Sequence, residues 1–252
     1  MNFIDFPSPN HDARAEGATI DMLVLHYTGM PTGADALARL VDPAARVSAH
    51  YLIEEDGRVF RLVPEMRRAW HAGIAYWRGV RDINGSSIGV ELVNPGHEFG
   101  YQDFPEAQMQ ALENLAKQII LRHAIPAINV VGHSDVAPQR KRDPGERFDW
   151  RRLARAGVGA WPTDDSRPIA ETRTIAFGAR NRIVGETQEC LASYGYETPQ
   201  SGELDAATAK VIEAFQRHFR PRIVDGRIDG ETRSLAGRLA GAVLTARIGD
   251  RT

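Results

Sequence analysis

The strongest constraint on the fold is a set of short apolar runs, rich in branched residues, that each end at a polar or glycine-bearing stop. Residues 19–26 (TIDMLVLH) run into Thr28-Gly29 and read as a largely buried strand. Residues 49–53 and 58–62 flank Glu54-Glu55-Asp56-Gly57, whose Asp-Gly pair signals a hairpin turn. Residues 87–94 form another such run, stopped by Pro95-Gly96, and residues 129–132 form a short one that leads straight into His133. Between these runs, Pro105 and Glu106 open a long helix with Leu112, Leu115, Ala116, Ile119 and Ile120 on one face. Strands interleaved with helices predict an α/β domain, a central mixed sheet with flanking helices.

The pattern changes after residue 160. Residues 161–168 (WPTDDSRP) are polar with proline near each end and read as a linker. From about Phe177 the periodicity is helical only. The expected organisation is a domain over 1–162, a linker over 163–176 and a small all-α, three-helix domain over 177–252, with no internal repeat. Composition excludes several classes. At 42% hydrophobic and 25% charged the chain is not disordered, and a net charge of −2 supplies no basic field for nucleic acid. The one cysteine, Cys190, excludes a disulfide scaffold and a thiolate-rich metal site. No apolar run approaches the ~18 residues of a membrane helix, so no transmembrane segment is expected. The first residues (MNFIDFPSPNHDAR) lack the charged start and apolar stretch of a secretory signal, so the expected compartment is the cytoplasm. The alternative is the periplasm or cell envelope.

Among the eight histidines, His26 and His133 stand apart because each ends a buried strand, where α/β sheets build their sites. His11, His97, His123 and His218 have the ordinary readings of an irregular terminus, a Pro-Gly loop, a helix end and a helical tail. Residues 134–145 (SDVAPQRKRDPG) read as a loop, too polar for core, that returns Asp143 towards His133. Two imidazoles and one carboxylate suit Zn²⁺ with a fourth position open to water, which makes the metal catalytic. Glu91 is a carboxylate inside an apolar strand, and it is the candidate general base. Lys141, two residues before Asp143, projects to the same side and could aim its ammonium at an oxyanion. Trp70 is either core or a substrate-stacking wall, and His50 either supports the ligands from behind or fills core.

Together Leu25-His26-Tyr27-Thr28, residues 48–53 (SAHYLI), Arg68-Ala69-Trp70-His71-Ala72-Gly73, Ser87-Ile88-Gly89-Val90-Glu91 and the stretch from Gly132-His133-Ser134-Asp135 to Lys141-Arg142-Asp143-Pro144-Gly145 resemble the zinc-dependent N-acetylmuramoyl-L-alanine amidases of the AmpD/AmiD type. That family shares its fold with peptidoglycan recognition proteins and phage T7 lysozyme. The resemblance implies one Zn²⁺ per chain held by His26, His133 and Asp143, with Glu91 as catalytic glutamate and Lys141 assisting. The phage branch has a cysteine at the Asp143 position and a tyrosine at the Ala49 position, so this chain sides with the bacterial enzymes. Trp70, His71, Tyr27 and Asn94 are the implied substrate contacts, and His50 stands behind the ligands. The tail, with Thr187-Gln188-Glu189-Cys190-Leu191, Ala214-Phe215-Gln216 and Val224-Asp225-Gly226, is similar to a three-helix peptidoglycan-binding domain. In it, Asp205 caps a helix bearing Ile212, Phe215 and Phe219, Gly195 stops another, and Cys190 is a buried helical residue. The implied partner is peptidoglycan or a muropeptide, and the implied reaction is hydrolysis of the amide between the lactyl group of N-acetylmuramic acid and L-alanine. A non-catalytic wall sensor and a zinc peptidase of the stem peptide are the rivals. The linker further implies that the first domain cleaves small muropeptides by itself.

Overall fold

A computed structural model describes residues 2–162 and 173–249, with side chains up to 245; most of the expected linker therefore lies outside the described residues. The strands are β1 (Phe3–Asp5), β2 (His11–Ala13), β3 (Met22–Tyr27), β4 (Tyr51–Ile53), β5 (Val59–Arg61), β6 (Arg67–Ala69), β7 (Ser87–Leu92) and β8 (Val130–Gly132). The helices are α1 (Gly33–Val41), α2 (Ile83–Ser86), α3 (Gly96–Phe99), α4 (Glu106–His123), α5 (His133–Val136), α6 (Trp150–Arg155), α7 (Arg182–Tyr194), α8 (Ala206–Phe219) and α9 (Gly230–Gly249). Six strands form one sheet in the order β1-β5-β4-β7-β3-β8. The predicted hairpin β4–β5 is antiparallel, whereas β4, β7, β3 and β8 run parallel, so the sheet is mixed as expected.

The N-terminus corrects one expectation. It is not irregular: β1 extends the sheet beside β5, and β2, which holds His11, pairs with β6 in a separate ribbon. Runs of three residues carry too weak a periodic signal to be read from sequence.

Alternation along β3 and β7 sends side chains to two different covers. Leu23, Leu25, Ile88, Val90 and Leu92 pack with Met109, Leu112, Leu115 and Ile119 of α4, the face predicted for that helix. Met22 and Val24 point the other way and share a core with Trp77, Val131 and Val136, and also with Val184, Leu191, Tyr196 and Phe215 of the C-terminal region. The same face above β4 and β5 is covered by Ala36 and Leu40 of α1. A crevice remains between the two covers, at the carboxyl ends of β3 and β7.

The C-terminal helices begin and end as their sequence indicates. The Asp205 side chain accepts from Thr208 N–H at the start of α8, and Gly195 closes α7. Cys190 is half-buried on α7, and burial pushes its thiol pKa up, which suits an inert packing residue. Two expectations fail here. There is an internal repeat: Gln188 bonds Gly202 N–H, Glu203 C=O and Thr208 Oγ1, and Gln216 makes the same set with Gly226, Arg227 and Thr232. Only a few polar positions recur, so the sequence shows no obvious period. The helices also share a core with the α/β region and do not stand apart from it. Trp77 is fully buried between Tyr194 and Tyr196, with ring centroids 5.8 and 5.1 Å away. A Cβ on Gly195 would meet the Trp77 ring at 2.9 Å, so only glycine admits this approach.

Candidate active site

The parallel register of β3 and β7 sets His26 directly beside Glu91 on the crevice face. From the next strand, β8, the chain turns at once into α5, whose first residue is His133. Asp143 comes back to the same point, and the Ser134 N–H bonds its carbonyl at 2.9 Å. The three side chains therefore converge, although 107 and 117 residues separate His26 from the other two. His26 Nδ1 lies 2.9 Å from His133 Nδ1 and 3.1 Å from Asp143 Oδ2, and the remaining edge of the triangle is 3.0 Å.

The far nitrogens settle which atoms carry protons. His133 Nε2–H donates to Ala72 C=O at 3.0 Å, which leaves a bare lone pair on Nδ1. Ser87 Oγ–H donates to Ile83 C=O, so Ser87 Oγ accepts from His71 Nε2–H and His71 Nδ1 accepts from His26 Nε2–H. His26 Nδ1 is then bare as well. Two imidazole lone pairs and a carboxylate oxygen face one another within a 3 Å triangle, an arrangement that calls for a cation between them. Tetrahedral ligands at zinc distances would stand roughly 3.3 Å apart, close to the triangle observed.

The electrostatics agree. Burial and the neighbouring His133 push the His26 imidazole down to about 4, so it stays neutral and able to ligate. Glu91 goes the other way. Burial, reinforced by the Asp143 charge and opposed by Lys141, lifts its carboxyl well above the ordinary value. Its Oε2 is sealed from solvent without a hydrogen-bond partner among the described residues. Such an atom costs stability unless it has a task.

These groups open onto a cavity of about 510 Å³ lined also by Tyr27, Trp70, His71 and Lys141. Trp70 is half-buried in the wall of this cavity. His71 also touches the cavity, but its ring is committed to His26 and Ser87, so it orients His26. Gly89 makes room for it, since a Cβ there would meet the His71 ring at 2.5 Å. His50 is fully buried one layer further back, between the Gly89 N–H and the Arg67 carbonyl.

Two expectations are corrected. Asn94 is fully buried and cannot meet substrate: it accepts from the Gly96 N–H and donates to the Gln102 carbonyl, shaping the loop after β7. Residues 133–138 are not a polar surface loop but buried, beginning with α5, because Asp135 and its neighbours find partners inside. One residue was missed. His97 lines the cavity, bonds Tyr27 Oη at 2.9 Å and faces Glu146 at 3.2 Å. It lies beyond the end of β7, in the short helix α3 after Pro95, so the strand-end rule that singled out His26 and His133 does not reach it.

Comparison with known proteins agrees with this geometry. Residues 16–146 match the family model described as N-acetylmuramoyl-L-alanine amidase, and residues 180–235 match one described as a putative peptidoglycan binding domain. The chain is similar to the N-acetylmuramoyl-L-alanine amidase AmiD of Escherichia coli (strain K12), with 40% identity over 245 residues, 90% of this chain and 84% of that protein. It is 39% identical over 164 residues to the 1,6-anhydro-N-acetylmuramyl-L-alanine amidase AmpD of Citrobacter freundii, covering 58% of this chain and 86% of that one. Among solved structures, the complex of E. coli AmiD with the substrate anhydro-N-acetylmuramic acid-L-Ala-D-gamma-Glu-L-Lys superposes with a TM-score of 0.78 at 40% identity, over 91% of this chain and 92% of that one.

Proposed function

Because the chain belongs to the N-acetylmuramoyl-L-alanine amidase family, we propose how its own residues perform that hydrolysis. The protein is an amidase of peptidoglycan fragments. It cleaves between the lactyl carbonyl of N-acetylmuramic acid and the nitrogen of L-alanine, in cell-wall turnover.

The observation that carries the mechanism is the triangle of proton-free donors on His26, His133 and Asp143, set beside an unpartnered Glu91. In our reading the triangle holds one Zn²⁺, which when bound lowers the pKa of water and polarises the scissile carbonyl. Glu91 takes the proton of the attacking water. A carboxyl whose pKa is lifted by burial holds that proton long enough to pass it to the departing L-alanine nitrogen. Lys141, in the same cavity, sets its ammonium against the negative charge that develops on the carbonyl oxygen. His71 and Ser87 keep His26 in the tautomer that presents Nδ1, while Tyr27 and Trp70 form walls for the muramyl group and peptide.

Mass spectrometry of digested muropeptides tests the reaction. A free muramyl glycan with an intact stem peptide is expected; a shortened peptide would make the protein a peptidase, and no change a sensor. Elemental analysis of the active protein tests the metal, with one zinc per chain expected. No described helix is long and apolar enough to cross a membrane. Between the two compartments we favour the envelope, because the polymer that a peptidoglycan-binding domain recognises is found there. Cell fractionation decides between them.

A further inference from the structure

The metal-ligand turn is held in place from outside its own domain. Helix α5 has four residues, too few to be stable by itself, yet it starts with the ligand His133, and its Ser134 N–H grips the backbone of the ligand Asp143. Two of the three ligands therefore depend on where α5 sits.

The position of α5 depends on Asp135. Its carboxylate accepts from Gly132 N–H at 2.7 Å, and the other two donors come from the C-terminal region: Tyr196 Oη, just after α7, at 2.6 Å and His218 Nδ1 of α8 at 2.7 Å. Asp135, Tyr196 and His218 are 1%, 2% and 3% exposed, so water cannot replace a lost donor. The His218 ring has no freedom to turn away, because it stacks on Trp150 at 3.8 Å and on Phe219 at 3.9 Å. The preceding residue, Arg217, lies 4.0 Å from Glu146, which bonds His97 and through it Tyr27 on the cavity wall. Adjacent residues of α8 thus reach both sides of the centre.

We propose that Tyr196 and His218 are positioning residues of the amidase centre, acting through Asp135 to hold the His133 turn in ligating geometry. The C-terminal helices would then be a working part of the active site, whatever glycan they bind. This inference rests on the proposed zinc centre. It is separable from it, because wild-type zinc content and muropeptide cleavage test the centre, and variants compared with wild type test the positioning.

The experiment uses the full chain with zinc, in Tyr196→Phe, His218→Leu and His218→Asn. Zinc affinity is measured by chelator competition, and kcat and KM on a soluble anhydromuramyl tripeptide, well below each variant's melting temperature. Loss of a partner that orients a ligand costs roughly 10- to 100-fold in metal affinity or turnover. That loss is expected in Tyr196→Phe and His218→Leu, in zinc affinity and kcat with KM held. His218→Asn, whose amide places an N–H where Nδ1 stands, is expected to recover most of it. Glu197→Ala, which breaks only the exposed ion pair with Arg81, serves as control and should match wild type. Tyr196→Phe removes one hydroxyl and keeps the shape, so it reports even if His218→Leu does not fold. Lower melting temperatures with wild-type zinc affinity and kcat would overturn the proposal, and so would an Asn variant as impaired as the Leu variant.

Discussion

Replacing Trp77 measures how firmly the two regions are joined. The indole is fully buried, edge-on to Tyr194 and Tyr196, in the core that both regions share. Truncating a buried aromatic to alanine costs about 3–5 kcal/mol in transfer and cavity terms. Part of this is offset. The Trp77 Nε1–H has no hydrogen-bond partner among the described residues, and an orphaned buried donor costs about 1–3 kcal/mol that the variant no longer bears. Trp77→Ala should therefore lose about 2 kcal/mol, and Trp77→Phe, which drops the orphan and keeps most of the ring, about 1 kcal/mol or less. In a chain of 252 residues the alanine variant should melt roughly 4–8 °C lower. Urea unfolding followed by far-ultraviolet circular dichroism reads both numbers, and wild type should give one transition covering both regions. A loss in Trp77→Phe well above about 1 kcal/mol would show that the nitrogen is partnered. Two separate transitions, the second unaffected by either change, would refute the shared core.

Glu91→Gln should keep zinc and fold while turnover falls by about 10²–10⁴, as for loss of a general base, and near-normal turnover on muropeptides would move that role elsewhere. Lys141→Ala should cost about 10²–10³ in kcat if its ammonium meets the oxyanion, with zinc content unchanged by elemental analysis. Removing metal with a chelator should abolish activity and lower the melting temperature, since zinc at 100 times its Kd contributes about 2.7 kcal/mol; zinc alone should restore both. Acid should destabilise the protein through its buried histidines. Burial pushes His50 down to about 3, so below pH 6.5 the unfolded chain binds a proton that the folded one refuses. Stability from this group is complete above pH 6.5 and falls by about 1.4 kcal/mol per pH unit down to about pH 3. Urea titrations at several pH values should show that slope, reduced by one proton in His50→Gln.

The chemistry of this protein is legible in its sequence because strand ends and local spacing announce it. Buried runs that stop at His26 and His133 mark the crevice, a carboxylate in the apolar run 87–92 marks Glu91, and Lys141 and Asp143 share a short segment. Parallel pairing of β3 with β7 then puts His26 beside Glu91. What tertiary structure alone decided is which polar residues are buried and with whom. Asp135 looks like a loop residue until Tyr196 and His218, 61 and 83 positions away, supply its donors. Asn94 looks like a substrate contact until its amide turns inward to the Gly96 and Gln102 backbone. His97 reads as a loop histidine until Tyr27 and Glu146 close around it. The joining of the helical tail to the catalytic sheet belongs with these. Periodicity shows that a helix has an apolar face, but not that Met22, Val24 and Trp77 of another region complete the core it enters. Local pattern encodes which side chains leave water, and only packing between distant segments determines the partners that satisfy them.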